Sequence, residues 1–422
     1  MDLRTVYTGC QVFKDGCLQY ADISVQNGIV DAIGEVSVKE ADTVVSLSGK
    51  YVFPGFADVH VHFREPGFSY KETIETGSKA AAAGGYTLVG TMPNLNPAPD
   101  TTENVQKQLD LIEKNAVIDV VPYGTISMER KGKILSDMEA IADKVIGFSD
   151  DGSGVDDEEL IKRAMKTAKK LNKVIAAHSE VIELVRGGHA HDGEFAKNNG
   201  IAPISSDSEW KMVERDIAFI KEIGSKHHVC HISAKETVDL IREAKKAGAD
   251  ITCETGPHYL IMNDSMLKNE GRYKMNPPIR AEEDRQALVN GLLDGTIDMI
   301  ATDHAPHAAH EKKGTFPESA MGVTGLECAF SMMYTHFVLK GILPLEKLID
   351  LMAYVPRERF GFERNEIAVG KKADFTVFDP EIEWTVEGEK QISLGKYTPF
   401  EGWTAHGRIV RTVLGDKTVF EM

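Results

Sequence analysis

The sequence predicts an α/β fold, a (β/α)8 barrel of the TIM type with a small β-sandwich domain formed from both termini. Two observations predict this fold. In the middle of the chain, helix-sized segments separate eight apolar, β-branched runs, whereas both ends alternate apolar and polar residues. A doubly wound open sheet is the alternative, but such sheets rarely keep this rhythm for eight strands. The candidate strands lie near residues 56–62, 86–93, 117–124, 145–150, 174–178, 228–233, 250–254 and 297–302.

The alternating pattern at the two ends defines the predicted domains. Asn27-Gly28, in the N-terminal stretch, is a strong signal for a β-hairpin. A similar strand pattern returns near the C-terminus. We therefore expect residues 1–53 and 362–422 to pack as one composite β domain beside a barrel of residues 54–361.

The intervals between the candidate strands have the features of helices. The stretch from Lys71 to Ala83 is alanine-rich and is followed by two glycines, which stop a helix. Residues 156–171 and 205–223 carry apolar side chains at three- and four-residue spacing. Strand and helix signals therefore alternate along the predicted barrel.

The composition excludes several classes of function. Lys+Arg 48 against Asp+Glu 65 gives a net charge of −17, which disfavours binding to nucleic acid or to an anionic membrane. Five cysteines without a C-x-x-C pair indicate free thiols in a reducing compartment. The N-terminus lacks the apolar core of a signal peptide, and no run of 18 apolar residues occurs. We expect a cytoplasmic protein.

Potential metal ligands recur at the ends of the candidate strands. His60 and His62 are one residue apart, so a strand points both to one side. Buried, hydrogen-bonded histidines also explain one such pair. In a barrel, however, functional residues gather at the C-terminal strand ends, and six groups there favour a binuclear metal site. They are His60 and His62 at the end of strand 1, Asp151 at the end of strand 4, His178 at the end of strand 5, His231 at the end of strand 6 and Asp303 at the end of strand 8.

The type of ligand indicates the metal and the reaction. Imidazoles with carboxylates suit Zn²⁺ and tolerate Mn²⁺ or Co²⁺. Two metals bridged by a carboxylate and a water lower the pKa of that water from about 15.7 towards 7. Taken singly, His178 or His231 is explained as a core histidine, and Asp150-Asp151 as a helix cap. Together the ligands predict hydrolysis of an amide-like bond, or its reverse.

Two side chains suit this chemistry further. Asp303 can accept the proton of the bridging water and return it to the leaving nitrogen. Arg64 follows His62 by two residues and can grip a substrate carboxylate with two parallel hydrogen bonds. The alternative for Arg64 is a surface position paired with Glu65.

Eight ordered blocks spread over nearly the whole chain contain these residues. They are His60–Gly67 (HVHFREPG), Thr91–Asn94 (TMPN), Phe148–Gly152 (FSDDG), Ala177–Glu180 (AHSE), His231–Ser233 (HIS), Cys253–His258 (CETGPH), Met275–Arg280 (MNPPIR) and Thr302–His307 (TDHAPH). Together they resemble the amidohydrolase superfamily and, more closely, its type I dihydroorotases of the bacterial kind, which use aspartate as the bridging ligand.

The resemblance implies an activity and a cofactor. The family catalyses (S)-dihydroorotate + H₂O ⇌ N-carbamoyl-L-aspartate in pyrimidine biosynthesis, as a hydrolase of cyclic amide C–N bonds. It implies two Zn²⁺ per subunit, bridged by Asp151 and a water or hydroxide, with Asp303 as general acid and base. It also implies a homodimer and, for some members, association with aspartate transcarbamoylase. The implied ligands are His60, His62, Asp151, His178, His231 and Asp303.

The resemblance also implies substrate contacts. Arg64, Asn94 and His307 would bind the substrate carboxylate, and Asn276 the pyrimidine ring. Asn94 and Asn276 have an alternative as loop-capping residues. The polar stretch 307–318 is either an ordinary solvated loop or a lid over the site.

The bridging position separates related families. Hydantoinases, dihydropyrimidinases and many allantoinases resemble one another in placing a carboxylated lysine at the end of strand 4. Lys144 cannot take that role here, because seven residues at about 3.3 Å each leave it roughly 23 Å away. Asp150 and Asp151 point to opposite sides of a strand, and the family's spacing to His178 favours Asp151.

Two rival functions remain at this stage. A hydantoinase-like or allantoin-opening enzyme would use the same metals, but the charge of Arg64 favours a ring that bears a carboxylate. A catalytically silent barrel would serve as a structural partner, for instance of aspartate transcarbamoylase. Such a chain is expected to have lost metal ligands, whereas this one has the full set.

Overall fold

The computed structural model describes residues 4–422, and Met1 to Leu3 of the predicted β domain lie outside the described residues. The strands are β1 (Arg4–Lys14), β2 (Cys17–Gln26), β3 (Ile29–Gly34), β4 (Thr43–Ser46), β5 (Tyr51–Pro54), β6 (Phe56–Val61), β7 (Tyr86–Thr91), β8 (Asp119–Pro122), β9 (Ile175–Ala177), β10 (Ala190–His191), β11 (Pro203–Ile204), β12 (His227–Val229), β13 (Ile251–Thr255), β14 (Met299–Ile300), β15 (Asp374–Thr385), β16 (Thr404–Leu414) and β17 (Lys417–Glu421).

The described part of the chain contains fourteen α-helices, all of them between β6 and β15. They are α1 (Ile74–Ala83), α2 (Thr102–Asn115), α3 (Met138–Ile141), α4 (Glu158–Lys170), α5 (Ile182–Val185), α6 (Glu194–Asn199), α7 (Asp207–Ile223), α8 (Lys235–Lys246), α9 (Pro257–Ile261), α10 (Glu282–Asp294), α11 (Ala309–Lys312), α12 (Ala329–Met333), α13 (Leu345–Ile349) and α14 (Val355–Arg359). No helix between residues 4 and 422 is long and apolar enough to cross a membrane.

The predicted eight-membered parallel barrel is confirmed, and it is closed. Strands β6, β7 and β8 pair in parallel, as do β9, β12, β13 and β14. A single residue, Phe148, bridges Gly124 on one side and Ile175 on the other. His304 bridges Val61 and so joins the last strand to the first. The chain therefore brings all eight strand ends to one mouth, as the fold requires.

Most of the observed barrel strands are shorter than the predicted ones at their C-terminal ends, whereas β13 ends one residue later than predicted. The fourth candidate strand, 145–150, contributes only the bridge at Phe148. His178, His231 and Asp303 follow β9, β12 and β14 by one to three residues instead of ending them. His231 and Asp303 have φ values of 31° and 45°, which interrupts the extended backbone. The ligands consequently lie on the turns that leave the barrel.

Strands from both ends of the chain form one sheet beside the barrel. The strand order is β17-β16-β15-β5-β1-β2-β3, and β4 branches from β1. Tyr7, Val52, Phe375 and other side chains fill a buried core within it. In the predicted hairpin turn between β2 and β3, Asn27 and Gly28 have φ values of 52° and 76°, as a type I′ turn requires. The domain limits at 53/54 and 361/362 stay a prediction.

Aromatic packing fixes this sheet against the barrel. Phe330 of α12 stacks on Phe56 of β6, with ring centroids 4.6 Å apart. The same Phe330 meets Phe378 of β15 edge-on at 5.0 Å and lies 5.4 Å from Phe53 of β5. All four rings are fully buried. The β sheet is therefore continuous with the barrel core through apolar contacts rather than through a flexible linker.

Candidate metal centre and active site

The structure brings the six predicted metal ligands together at the barrel mouth. The Oδ1 atom of Asp303 lies 3.0 Å from His62 Nε2 and 3.5 Å from His60 Nε2. These three side chains present ligand atoms that all lie within 4.8 Å of one another, as metal coordination requires. They form a first potential metal position on strands 1 and 8.

A second group of potential ligands lies beside the first, and Asp151 is close to both groups. His178 Nδ1 and His231 Nε2 lie 2.9 Å apart. The Oδ1 atom of Asp151 is 3.5 Å from the former and 3.4 Å from the latter. The same carboxylate is 3.4 Å from Nε2 of His60 and 3.4 Å from Nε2 of His62. Asp151 therefore stands between two groups of ligands.

The residues present fit metal ions. His60 Nε2 and Asp151 Oδ1 are buried and have no hydrogen-bond partner in residues 4–422. A buried polar atom without a partner is costly, and a cation among these atoms accounts for both at once. The set of imidazole nitrogens and carboxylate oxygens is one that zinc accepts.

Outer hydrogen bonds orient the imidazoles. His60 Nδ1 donates to Glu254 Oε1 at 2.6 Å, and His62 Nδ1 donates to Asn94 Oδ1 at 2.8 Å. Each bond leaves the Nε2 lone pair directed to the centre. Glu254 also accepts from His228 Nε2 at 3.0 Å. The sequence reasoning assigned no role to Glu254, although it lies at the end of the seventh predicted strand, where a site residue is to be expected.

The two neighbouring aspartates after Phe148 point in different directions. Asp150 accepts hydrogen bonds from the backbone N–H groups of Ile126 and Ser127, at 2.8 and 3.1 Å, and from the Ser127 hydroxyl. Asp151 faces the histidines, and the Arg130 guanidinium holds its backbone carbonyl at 2.6 Å. Asp150 is therefore a structural residue, and Asp151 is the one at the centre.

Both central carboxylates are ionised at neutral pH. Burial alone would raise the pKa of Asp151, but the nearby imidazoles of His60, His178 and His231 hold it well below its usual range. Burial is likewise outweighed at Asp303, where His62 and His60 lower the pKa to about 2. Asp303 is thus a carboxylate that can receive a proton.

A cavity of about 220 Å³ opens over this centre. Every predicted site residue except His60 lines it, and His60 is fully buried. The four residues predicted to contact substrate all lie in its wall. They are Arg64, Asn94, Asn276 and His307.

Arg64 enters the cavity as an unpaired cation. Its Nε donates to the Pro306 carbonyl at 3.2 Å, and no carboxylate of the described chain lies within ion-pair distance of its guanidinium. Burial lowers the pKa of Arg64 to about 10, so the group keeps its charge at neutral pH. Glu65 instead accepts from Ser69 and from the backbone of Ile74. A surface pair of Arg64 with Glu65 is therefore wrong.

His307 and Asn276 already have partners within the protein. His307 Nε2 donates to the Met321 carbonyl at 2.8 Å, and Lys71 Nζ lies 3.3 Å from Nδ1. Burial, with the charges of Arg64 and Lys71, lowers the pKa of His307 to about 3, so its ring is neutral. Asn276 Nδ2 donates to a Glu180 oxygen at 2.8 Å, which leaves its Oδ1 for a ligand.

The polar stretch 307–318 is packed onto the protein at the cavity rim. It contains α11, whose Lys312 is almost fully buried. Lys312 Nζ donates to the carbonyls of Lys274 and Ala320, at 3.0 and 2.7 Å. Glu311 forms an ion pair of 2.7 Å with Lys71 from the loop after strand 1. The stretch is thus anchored at both faces and is not an ordinary solvated loop.

The sequence is similar to proteins of one family. The family described as Dihydro-orotase-like matches residues 49–237. A dihydroorotase from Enterococcus faecalis is 46% identical over 411 residues, which cover 96% of this chain and 96% of that protein. A dihydroorotase from Bacillus subtilis is 43% identical over 410 residues, which cover 97% and 96% of the two chains.

Solved structures of hydantoinases share the fold. An L-hydantoinase (dihydropyrimidinase) from Arthrobacter aurescens superposes with a TM-score of 0.88 at 27% identity, covering 100% of this chain and 96% of that one. A D-hydantoinase (dihydropyrimidinase) from a Thermus species has a TM-score of 0.85 at 25% identity, covering 99% and 95%. The architecture is thus that of the amidohydrolases, a barrel with a β sandwich.

Proposed function

This chain belongs to the dihydroorotase family, and from that premise we propose that it holds two zinc ions between its four histidines and two aspartates. Its activity is that of the family, the reversible hydrolysis of the cyclic amide (S)-dihydroorotate to N-carbamoyl-L-aspartate in pyrimidine biosynthesis. The family is metal-dependent. The identity and number of the metals, and the role of each residue, are the proposal.

The observation that supports two metals is the position of Asp151. Its carboxylate lies within 3.5 Å of a nitrogen of all four histidines. One carboxylate among four imidazoles suits a ligand that two cations share. His60, His62 and Asp303 would hold one ion, and His178 and His231 the other.

Bound zinc would polarise the ring carbonyl and acidify a water. Asp303 would then take the proton of the attacking water, since its carboxylate is ionised and faces the centre of the site. As the C–N bond breaks, the same proton passes from Asp303 to the ring nitrogen. In the reverse direction, Asp303 takes the proton from the carbamoyl nitrogen during ring closure.

The substrate would be oriented by its carboxylate and its ring. The free face of the Arg64 guanidinium and the Nδ2 of Asn94 are the proposed carboxylate donors. His307 would join them by transferring its Nε2 hydrogen bond from Met321 to the carboxylate. Asn276 would accept from a ring N–H through its Oδ1.

Arg64 also supports dihydroorotate over related rings. Hydantoin, dihydrouracil and allantoin carry no carboxylate, so their binding would leave a buried cation without an anionic partner. A catalytically inactive barrel with a structural role would not require these histidines and aspartates to lie close together. The complete set of ligands at the mouth therefore favours catalysis.

A comparison of four substrates tests the proposal. Ring opening of L-dihydroorotate, dihydrouracil, hydantoin and allantoin is measured with zinc-loaded and chelator-stripped protein, and bound metal is counted by elemental analysis. We expect zinc-dependent turnover of dihydroorotate alone and about two zinc ions per chain. Turnover of a ring without a carboxylate would contradict the proposed role of Arg64 in substrate selection. No activity on any of the four substrates would favour a structural role for the protein.

The remaining expectations belong to the same proposal. A homodimer and association with aspartate transcarbamoylase are tested by the size of the protein in solution, alone and with that enzyme. A cytoplasmic location is supported by the five cysteines, all of which are free thiols.

A further inference from the structure

One histidine of the Thr302–His307 block has no role in the proposed mechanism. Asp303 and His307 line the cavity, but His304 does not. His304 enters a polar cluster with Glu72 and Ser393, and the exposed fractions of these three residues are 1%, 0% and 0%. A buried charge beside a buried histidine and hydroxyl needs an explanation, because each group is costly to desolvate.

Hydrogen bonds hold both ring nitrogens of His304 in this cluster. The backbone N–H of Gly325 donates to His304 Nδ1 at 3.2 Å, so the ring proton resides on Nε2. His304 Nε2 donates to the Ser393 hydroxyl at 3.3 Å, and it lies 3.6 Å from a Glu72 oxygen. The Ser393 hydroxyl donates to the same Glu72 carboxylate. The side chain of His304 is therefore fixed at both of its nitrogens.

The backbone of His304 is fixed as well, and it adjoins the strained Asp303. The His304 carbonyl accepts from the backbone N–H of the ligand His62 at 2.9 Å. The backbone N–H of Thr302 donates to Asp58 at 2.9 Å. Asp303 lies between these anchors with a φ of 45°, in the left-handed region that few non-glycine residues occupy. Such a conformation persists only where the surroundings impose it.

The anchor for His304 comes from the C-terminal part of the chain. Ser393 lies in the connection between β15 and β16, which leaves the β sheet and reaches the barrel mouth. The backbone N–H groups of Ile392 and Ser393 donate to Glu327, at 2.9 and 3.1 Å. A Cβ atom on Gly395 would come within 2.6 Å of the Pro306 side chain. This connection is therefore fitted closely to the segment that carries Asp303.

We propose that His304 is a positioning residue for Asp303, and that Ser393 and Glu72 hold it in place. The connection between β15 and β16 thereby supports the catalytic site through His304, without a hydrogen bond of its own to a predicted metal ligand. This inference rests on the proposed role of Asp303 as the proton carrier. Loss of the anchor would let the turn relax from φ 45° and move the carboxylate away from His62.

Replacement of the hydroxyl tests the inference with the whole protein. Ser393→Ala should lower kcat for dihydroorotate by about 10- to 100-fold, with KM nearly unchanged, because partners behind a metal ligand typically have effects of this size. In the cobalt-substituted protein, the visible spectrum should shift, since Asp303 is a ligand whose position changes. Ser24→Ala is the matched control, because Ser24 is fully buried and donates to Asp31 within the β sheet.

The controls separate positioning from folding. Both serine variants should lose similar thermal stability, but Ser24→Ala should keep the kcat and the cobalt spectrum of the wild-type protein. An unchanged kcat and spectrum in Ser393→Ala would overturn the inference, as would equal losses of kcat in both variants. If Ser393→Ala does not fold, Gly395→Ala tests the inference instead. The added methyl group would clash with Pro306, so it should lower kcat in the same way.

The outcome is also distinct from failure of the proposed function. If wild-type protein opens dihydroorotate but Asp303→Asn retains full turnover, the role of Asp303 fails. If Asp303→Asn is inactive and Ser393→Ala is not impaired, only the positioning by His304 fails.

Discussion

At the scale of single residues, Asp303 shows how position gives a common side chain its chemistry. A left-handed backbone at a non-glycine residue costs on the order of 1–3 kcal/mol, and Asp303 has a φ of 45°. That conformation turns the carboxylate back toward the two histidines of strand 1. The surrounding hydrogen bonds therefore maintain an arrangement that the local sequence disfavours.

The variant Asp303→Asn tests the proposed proton transfer. The amide retains the shape and one potential ligand oxygen, so we expect most of the zinc to remain. It cannot accept a proton, so kcat should fall by about 10²- to 10⁴-fold, the usual contribution of general acid–base catalysis. Steady-state kinetics and metal analysis on the same sample check both points. Wild-type turnover in this variant would remove Asp303 as the proton carrier.

The variant Arg64→Ala tests the carboxylate site. Hydrogen bonds to charged groups contribute about 1.5–3 kcal/mol, so KM for dihydroorotate should rise about 10- to 100-fold at 1.4 kcal/mol per tenfold change. The exposed Arg163 gives the control variant Arg163→Ala. Initial-rate kinetics over a range of substrate concentrations give both parameters. If KM is unchanged in Arg64→Ala, the substrate carboxylate binds elsewhere.

At the scale of elements, the short helix α11 depends on one buried lysine. Burial, with the nearby charge of Lys274, lowers the pKa of Lys312 from 10.5 to about 7. The amine caps two backbone carbonyls from separate segments, those of Lys274 and Ala320. The loop at the cavity rim is therefore tied to the segment that carries Asn276.

This pKa shift predicts a pH dependence of stability. Between about pH 7 and 10.5, the unfolded chain keeps a proton on Lys312 that the folded protein has released, so stability from this group rises with pH. The slope is at most about 1.4 kcal/mol per pH unit. Lys312→Met lacks this contribution. The difference in thermal midpoint between wild type and variant should grow in favour of the wild type from pH 7 to 9. Parallel midpoints would contradict the pKa.

At the scale of the whole molecule, the proposed metal centre joins distant parts of the barrel. Its ligands follow strands 1, 4, 5, 6 and 8, and the unfolded chain cannot present them together. A ligand that binds only the folded state stabilises it, by about 4 kcal/mol at a thousandfold excess over its Kd. The metals should therefore stabilise the fold as well as act in catalysis.

Removal of metal should lower the thermal stability of the protein. We expect the unfolding midpoint to fall on treatment with a chelator and to recover when zinc is restored. Asp151→Asn should show a smaller response, because Asp151 contacts all four histidines. Differential scanning calorimetry measures both effects. An identical midpoint with and without chelator would mean that metal contributes nothing to stability.

Sequence reasoning was accurate where the pattern is local and periodic. The alternation of strand and helix signals predicted the barrel, and the six side chains predicted as ligands from the strand ends lie close together at its mouth. Their role as metal ligands stays a prediction. It was less accurate at the ends of the strands. The predicted fourth strand is reduced to a single β-bridge at Phe148. The backbone leaves the strand there, and Asp150 and Asp151 contact different partners.

The sequence by itself determined the order of strands and helices, the composite β sheet and the kind of side chain near each strand end, because periodicity and residue type are local properties. The tertiary structure decided which groups support them. Glu254 meets His60 across 194 positions, and Ser393 meets Glu72 across 321. No local pattern records such pairs, because the folded chain creates these neighbours only when the barrel closes and the β15–β16 connection packs onto its mouth.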